Sequence, residues 1–515
     1  MAFSLFNSVS VCTFPGHTQW KRFLNFQNRF HRLNLSSALQ CKATTEVFGD
    51  VGVVRRSAGY HPPIWGHDYV QSLRSDFLRG ESYKERASEL RGEVSKMLCE
   101  MVDDPLEKLE LIDTLRRLGL SRHFEDEIST TLKNVSEYCS SVQGEKQSLH
   151  ATALGFRLLR QHGFKVNQDV FSSFMDEVGN LKARFSLDCK GLLSLYEGSY
   201  LLVEGETMLE NARDSAAELL KECRKQNNDQ YLSMLVDHAL ELPLHWRMPR
   251  LEARWFIGAY EKNKDKNHIV LELAILDFNM VQAIHQDDLR HASAPQSGKS
   301  RRDQTKVNAL ITVIDDVYDV YGTLDELELF TDAIERWDIN AIQKLPAYMK
   351  ICYHALYNSV NEMAFDTLKE QGIDVLPFLK KVWTNLCKAY LLEAKWYYIG
   401  YKPTLQEYID NAWLSISYEQ QRGDVPKSIQ CYMHENEAPE EEAREHVKKL
   451  IEAAWKKINE EQMAKSPFSR TFIEIAMDLA RVSQLMYQNG DGHAIEDGDS
   501  KDRVLSLFVH PIPWQ

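Results

Sequence analysis

The sequence lacks the high glycine and proline content and the long apolar runs that are typical of disordered, fibrous or membrane-spanning chains. Of its 515 residues only 24 are glycine and 15 are proline, which argues against disorder, collagen and a turn-rich all-β fold. No apolar run approaches the roughly 18 residues that a membrane span needs. The net charge is −14 and no stripe of lysine and arginine stands out, so we expect neither a membrane span nor a nucleic-acid partner.

The cysteines offer no metal or disulfide framework. There are nine of them, without a C-x-x-C pair and without a cysteine–histidine cluster at zinc spacing. Scattered single cysteines are typical of buried thiols in a reducing compartment.

Acidic residues are missing from the first 45 positions, and the first acid is Glu46. A basic, serine-bearing, acid-free leader is typical of an organelle transit peptide. We therefore predict a plastid transit peptide over residues 1–45, with a merely disordered N-terminus as the alternative. The basic residues of this leader are Lys21, Arg22, Arg29, Arg32 and Lys42.

Most of the remaining sequence has apolar residues spaced by three and four, the period of amphipathic helices. Asp104 is placed to cap one such helix, Pro105 suits its first turn, and Gly119 suits its end. No alternating run is long enough for a sheet strand. The sequence predicts an all-α protein with two helical domains, divided near the proline-containing segment 242–249.

Three acids interrupt an apolar helix in the segment VNALITVIDDVYDVYG, residues 307–322. Asp315 and Asp319 are four apart and lie one turn apart on one helix face, with Asp316 beside them. Like charges at this spacing repel by a few tenths of a kcal/mol, and a divalent cation offsets that repulsion. Because Mg²⁺ prefers one or two carboxylates together with phosphate oxygens, we predict a metal site here rather than a solvated helix end.

The turn after these acids also has a signature. Gly322 is expected to end the helix. The pair Thr323 and Glu326 has the spacing of a capping box, which predicts that a new helix begins at once.

Asp315, Asp316 and Asp319 form the motif DDxxD, and several other short motifs occur before and after it in the sequence. This set resembles plant class I terpene synthases of the angiosperm monoterpene type, over residues 55 to 513. The segments are Arg55-Arg56 with Trp65 (RRx8W), LYEGSYL at 195–201, LEARWF at 251–256, DFN at 277–279, RGDVPK at 422–427 and GDGH at 490–493.

The resemblance implies a fold, a reaction and a compartment. It implies an N-terminal α-barrel domain over residues 55–250 and a C-terminal metal-binding class I bundle over residues 251–515. It further implies a lyase that uses Mg²⁺ or Mn²⁺ to ionise a prenyl diphosphate, with geranyl diphosphate expected. The resulting carbocation cyclises or loses a proton to give a monoterpene. A monomer in the plastid stroma is expected.

The resemblance also assigns roles to residues. The metal ligands would be Asp315, Asp319 and Glu419, and the catalytic acids Asp315, Asp316 and Asp319. The substrate-binding residues would be Trp255, Arg55 and Arg56, of which the arginine pair would cover the active site.

Two stretches of the family pattern are shortened in this chain. The first lies between Leu289 and Lys306, where relatives carry an Arg-x-Arg motif that binds the diphosphate. The second lies between Ser417 and Arg422 and removes most of the second metal motif, leaving Glu419 at the family spacing. Asn411, Ser415 and Glu419 share one helix face, and this triad is either accidental or a replacement for the lost motif.

These shortenings keep a second interpretation open. The chain would then be a catalytically impaired relative or a splice form, whose C-terminal bundle is truncated internally and exposes apolar helix faces. Among active enzymes, a sesquiterpene synthase or an isoprene synthase is the alternative to a monoterpene synthase.

Overall fold

The structure is a computed structural model that describes residues 55, 65–78, 80–100, 104–141, 148–177, 180–292, 301–415, 427–464, 470–487 and 498–514. Regular structure within these ranges is helical, apart from an isolated bridge between Met175 and Leu181. The predicted all-α class is therefore confirmed. No helix in this part of the chain is long and apolar enough to cross a membrane. The leader 1–45, Arg56 and Glu419 lie outside the described residues.

Among the described residues, eight α-helices precede the segment 242–249. They are α1 (His67–Ser72), α2 (Glu81–Glu100), α3 (Pro105–Arg117), α4 (Glu125–Ser141), α5 (Leu149–Gln161), α6 (Cys189–Ser199), α7 (Thr207–Gln226) and α8 (Gln230–Glu241).

The described helices after this segment carry the predicted metal site. They are α9 (Pro249–Tyr260), α10 (His268–Ala292), α11 (Arg301–Asp316), α12 (Leu324–Arg336), α13 (Ala347–Gln371), α14 (Leu376–Ile399), α15 (Leu405–Ser415), α16 (Ser428–Asn436), α17 (Glu440–Met463), α18 (Arg470–Tyr487) and α19 (Gly498–Phe508).

Helix α3 begins and ends as the sequence predicts. The Asp104 carboxylate accepts a hydrogen bond from the Leu106 N–H at 2.8 Å, which satisfies one of the free donors at the helix start. Gly119 follows the helix with φ +76°, a left-handed conformation that residues with a Cβ seldom adopt.

Three large apolar cores hold the described helices together, and a small fourth one joins α15 to α16. One lies among α5–α8, a second joins α2–α5 to α9 and α10, and a third is formed by α11–α14. Leu90 and Phe278 belong to the second core, so it continues across the boundary predicted at residue 250. The two domain ranges, 55–250 and 251–515, stay a prediction.

The segment 242–249 is tightly bound rather than a free linker. The Leu244 N–H donates to the Glu197 carboxylate at 2.7 Å. His245 is buried and its Nε2 lies 2.7 Å from Oδ1 of Asn459 in α17. The segment thus connects the N-terminal helices to α17.

The Glu197 carboxyl should make the free energy of unfolding depend on pH. Burial raises its pKa to about 7, although the Arg157 guanidinium opposes the shift. The folded state therefore holds this proton more tightly than the unfolded state, and the stability that the protonated carboxyl contributes is lost as pH rises from about 4.5 to 7. We expect Glu197→Gln, which keeps the acceptor for Leu244, to stabilise the protein by about 1–3 kcal/mol at pH 8 and hardly at pH 4.

Urea unfolding at the two pH values measures this difference. Glu218→Gln is the matched control, because the Glu218 side chain is 75% exposed and should change little at either pH. An equal effect of Glu197→Gln at both pH values would show that the buried charge carries no penalty.

Candidate active site

The acidic segment leaves the α-helical path in its last turn. Helix α11 ends at Asp316 and residues Val317–Tyr321 form a π-helical turn, closed by a hydrogen bond from the Gly322 N–H to the Val317 carbonyl at 2.8 Å. The predicted helix ended by Gly322 is therefore confirmed, although its last five residues form a π-helical turn that the sequence spacing did not indicate. A Cβ on Gly322 would lie 2.6 Å from Leu327 and 2.9 Å from the Val317 oxygen, so glycine permits the wider turn. Such turns are frequent at functional sites.

The surroundings of Asp315 disfavour its charge. Asp315, Asp316 and Asp319 are each half-buried. Burial raises the pKa of Asp315 to about 7; the Lys427 ammonium opposes this rise, whereas the charges of Glu393 and Asp316 add to it. The carboxyl also accepts a hydrogen bond from Tyr390. The segment 307–322 contains no lysine or arginine of its own beside these three acids.

A divalent ion fits these residues as part of its coordination shell. Asp315 and Asp319 supply carboxylate oxygens, which Mg²⁺ and Mn²⁺ prefer. The carbonyls at the end of α11 favour a cation at the same place. In the described part of the chain, no group of three or more His, Cys, Asp or Glu side chains is arranged to hold an ion. Water, substrate oxygens and ligands outside the described residues would complete the coordination shell.

The charges that act on Asp315 include a buried ion pair. Glu393 in α14 is 1% exposed, and one of its oxygens accepts from Lys427 Nζ at 3.3 Å. Its other oxygen accepts from Asn411 Nδ2 at 2.9 Å. Tyr390, one turn before Glu393 on the same helix, bonds Asp315. The acids are thus connected to α14, α15 and the start of α16.

Sequence reasoning missed Lys427 and Glu393. Lys427 belongs to the RGDVPK segment, and Glu393 is an acid inside the aromatic-rich α14, where an unexplained charge is a usable signal. Of the triad Asn411, Ser415 and Glu419, the structure places Asn411 beside the site. Because Glu419 is outside the described residues, neither its metal role nor the triad is tested.

Arg55 lies on the turn that follows the acids. Its guanidinium forms two hydrogen bonds with the Glu326 carboxylate, at 2.8 and 2.9 Å, and lies 4.9 and 4.8 Å from the ring centres of Tyr321 and Tyr348. Glu326 also accepts from the Thr323 N–H at 3.1 Å, as the predicted capping box requires. The structure therefore brings Arg55 close to the acidic segment.

The Arg55–Glu326 ion pair should make the stability of the protein depend on pH. The Arg55 hydrogen bonds hold the pKa of Glu326 at about 2, below its usual value, so the pair stabilises the fold above pH 4.5 and less as pH falls towards 2. We expect Arg55→Met to cost about 1–3 kcal/mol at pH 7, with a smaller cost at pH 3.

Chemical unfolding at both pH values tests this prediction. Lys395→Met is the control, since its bond to Glu328 is half-exposed and such pairs contribute about 0–1 kcal/mol. A cost for Arg55→Met that is as small as that of the control at pH 7 would contradict the account.

Trp255 lies elsewhere in the described structure. Its ring stacks on His238 with centres 3.4 Å apart. The Glu252 carboxylate receives hydrogen bonds from both Arg117 and His238, at 2.8 and 2.7 Å. Trp255 lines a cavity of about 500 Å³ whose lining includes none of the three acids. The structure does not bring Trp255 and Asp315 into one described cavity.

The chain matches three family models. Residues 64–240 match "Terpene synthase, N-terminal domain" and residues 289–420 match "Terpene synthase family, metal binding domain". Residues 414–457 match "Terpene synthase family 2, C-terminal metal binding".

Two plant enzymes are similar to it over most of their length. It is 52% identical to (−)-alpha-terpineol synthase from Vitis vinifera, covering 90% of this chain and 91% of that one. It is 49% identical to the chloroplastic myrcene synthase from Quercus ilex, covering 93% of each. The alignment with the grape enzyme has 541 positions, more than the 515 residues of this chain. The grape enzyme therefore has residues that this chain lacks, and the places of the two shortenings stay predictions.

Two solved structures share the fold. Limonene synthase with 2-fluorolinalyl diphosphate superimposes with a TM-score of 0.83 at 40% identity, over 89% of this chain and all of that one. Isoprene synthase from grey poplar, in complex with three Mg²⁺ ions and dimethylallyl-S-thiolodiphosphate, gives 0.78 at 40% identity over 88% of this chain and all of that one.

Proposed function

Because this chain belongs to the terpene synthase family, we propose that it ionises geranyl diphosphate and releases a monoterpene. The observation that carries the proposal is the Asp315 environment, a half-buried carboxyl crowded by other acids at the end of α11. Several similar enzymes are monoterpene synthases, including terpineol, myrcene and limonene synthases. Their resemblance over nine-tenths of the chain supports a C10 substrate over C15 and C5 alternatives.

The acids would bind the metal ions, whereas Arg55 and Trp255 would enclose and bind the substrate. Asp315 and Asp319 would hold the divalent ions, with Asp316 as a weaker ligand and Glu419 as a further one. When bound, these ions would neutralise the leaving diphosphate. Tyr390 orients Asp315 through its hydrogen bond, and Arg55 would cover the substrate from the turn at Glu326. Trp255 would bind the hydrocarbon by its aromatic face, a role that needs the cavity beside it to reach the acids.

The identity of the metal ion, the oligomeric state and the cellular compartment belong to the same proposal. We assign Mg²⁺ as the working ion, with Mn²⁺ as a substitute, and expect a monomer. The acid-free leader and the chloroplastic relatives favour the plastid, and we place the enzyme in its stroma. Fusion of residues 1–45 to a fluorescent protein tests the leader, and fluorescence confined to the cytosol would contradict it.

A catalytically impaired relative is the second candidate. One observation favours it: the grape relative carries residues that are missing here.

Volatile analysis separates the two candidates. The full chain is incubated with geranyl, farnesyl or dimethylallyl diphosphate, each with Mg²⁺, with Mn²⁺ and with EDTA, and products and released pyrophosphate are measured. We expect a metal-dependent C10 product from geranyl diphosphate. If neither product nor pyrophosphate forms from any substrate, the impaired relative is the correct description; a C15 or C5 product would correct the substrate.

A further inference from the structure

Another cavity lies between the N-terminal helices and α9. It has a volume of about 300 Å³ and is lined by side chains of α3, α5, α6, α8 and α9. Its described lining includes none of Asp315, Asp316 and Asp319. The cavity can enclose a small molecule with an apolar body, because much of its wall is hydrocarbon. The apolar lining includes Leu154, Leu193, Leu232, Leu235 and Phe256.

The charged side chains on one side of this cavity are already paired. The Glu110 carboxylate lies 2.9 Å from His150 Nε2 and accepts a hydrogen bond from Lys190 Nζ at 2.5 Å. The Arg157 guanidinium forms an ion pair with Asp113 at 2.7 Å. These contacts leave neither a carboxylate nor a cation of this group without a partner of opposite charge or a hydrogen-bonding imidazole.

Glu197 in α6 differs from these acids. One of its oxygens accepts from the Leu244 N–H at 2.7 Å, and its other oxygen has no hydrogen-bond partner among the described residues. Arg157 and Arg117 favour its ionised form from a distance, whereas Glu252, the partner of Arg117, disfavours it. Burial outweighs the two arginines and raises the pKa of Glu197 to about 7. The ionised carboxyl therefore lacks a cation of its own.

The remaining polar lining also favours a cation with an organic body. Tyr231 lines the cavity, and its hydroxyl has no hydrogen-bond partner among the described residues. Aromatic rings attract ammonium groups. Asp229 and Asp265 belong to the lining and are exposed, so their charge raises the local concentration of cations. A metal ion fits less well, because no group of three or more His, Cys, Asp or Glu side chains in the described ranges is arranged to hold one.

We propose that this cavity binds a small organic ammonium ion, with the Glu197 carboxylate as its counter-charge and Tyr231 as an aromatic contact. The ammonium donates to the unpartnered Glu197 oxygen, and the hydrocarbon packs against the leucines of the wall. A buried carboxyl that lowers stability when nothing is bound is typical of a functional site. The inference does not depend on the proposed function, since none of its residues belongs to the predicted metal site.

Calorimetric titration of the full chain at pH 8 tests the proposal, with cyclohexylammonium as the probe. We expect saturable binding with a dissociation constant of about 0.1–1 mM. Cyclohexanol has nearly the same size without the charge and should bind at least about tenfold more weakly. If cyclohexylammonium does not bind at about 10 mM, or if cyclohexanol binds equally well, the proposal is overturned.

Glu197→Gln keeps the acceptor for Leu244 and removes the charge, so it should weaken cyclohexylammonium binding at least about tenfold. Tyr231→Leu removes the aromatic contact and should weaken it about threefold. Glu218→Gln and Asp315→Asn should retain the wild-type affinity, and circular dichroism confirms that each variant folds. If Asp315→Asn loses binding and Glu197→Gln keeps it, the probe occupies the acidic segment, which overturns this inference and leaves the proposed function standing.

The pH dependence of binding gives an independent readout. The ionised fraction of a carboxyl with a pKa of about 7 falls about tenfold from pH 8 to pH 6, whereas a primary ammonium stays charged. The affinity for cyclohexylammonium should therefore fall about tenfold over this range, and by less than about threefold in Glu197→Gln. An equal fall in the variant would assign the pH dependence to His150, the histidine of the lining, and would contradict the role of Glu197.

Discussion

Replacing Asp315 by asparagine should lower kcat with geranyl diphosphate and Mg²⁺ by about 10²–10³-fold, the usual loss when a charge-stabilising group is removed from an active site. The substitution keeps the size of the side chain and removes the charge that a divalent ion binds. Because Asp315 is half-buried and accepts a hydrogen bond from Tyr390, its position is fixed. Product formation and pyrophosphate release, both at saturating Mg²⁺, measure the effect.

Neighbouring acids provide graded controls for this experiment. Asp319→Asn should lose turnover to a similar extent, and Asp316→Asn less, since we assign Asp316 as a weaker ligand. Asp325 is exposed in the first turn of α12, so Asp325→Asn should leave turnover unchanged. If folded Asp315→Asn keeps more than about half of the wild-type turnover, this acid is not a metal ligand in catalysis.

The second large effect is expected at Glu252, which joins the N-terminal helices to α9. Glu252 is 4% exposed, and its pKa lies at about 2 because the Arg117 charge and the His238 hydrogen bond outweigh its burial. Glu252→Leu would leave the buried Arg117 guanidinium without its main acid, which typically costs about 3–5 kcal/mol. Urea unfolding at pH 7 measures the loss.

This change should also disturb Trp255. His238 is held by Glu252 and stacks on the Trp255 ring, so tryptophan fluorescence should change in the folded variant. Glu328→Leu is the control, because Glu328 pairs with Lys395 in a half-exposed contact worth about 0–1 kcal/mol. If both variants lose equally little stability, Glu252 does not join these helices.

The helices were predictable because local rules set them. The caps of α3 and the capping box at Thr323 need only residues within one turn, and these are read directly from the sequence. The π-helical turn at Val317–Tyr321 was not predictable, because it depends on how Gly322 packs against Leu327 of the following helix. Sequence spacing contains no information about that contact.

The site was predictable only in part, for a similar reason. The acids stand together in the sequence, and their spacing predicts a cation site without any long-range information. Glu393 comes from α14 and Lys427 from the residue directly before α16, and their contact with each other depends on tertiary packing. Arg55 was assigned by resemblance, whereas its ion pair with Glu326, 271 residues away, could be found only in the structure.

We propose that Asp315 and Asp319 bind the divalent ions that ionise a prenyl diphosphate. The most direct test is a crystal structure of the full chain with Mn²⁺ and a geranyl thiolodiphosphate analogue, using the anomalous signal of manganese. The account predicts a manganese peak about 2.0–2.3 Å from carboxylate oxygens of Asp315 and Asp319, also touching the diphosphate. A bound analogue with no manganese near either carboxylate would contradict it.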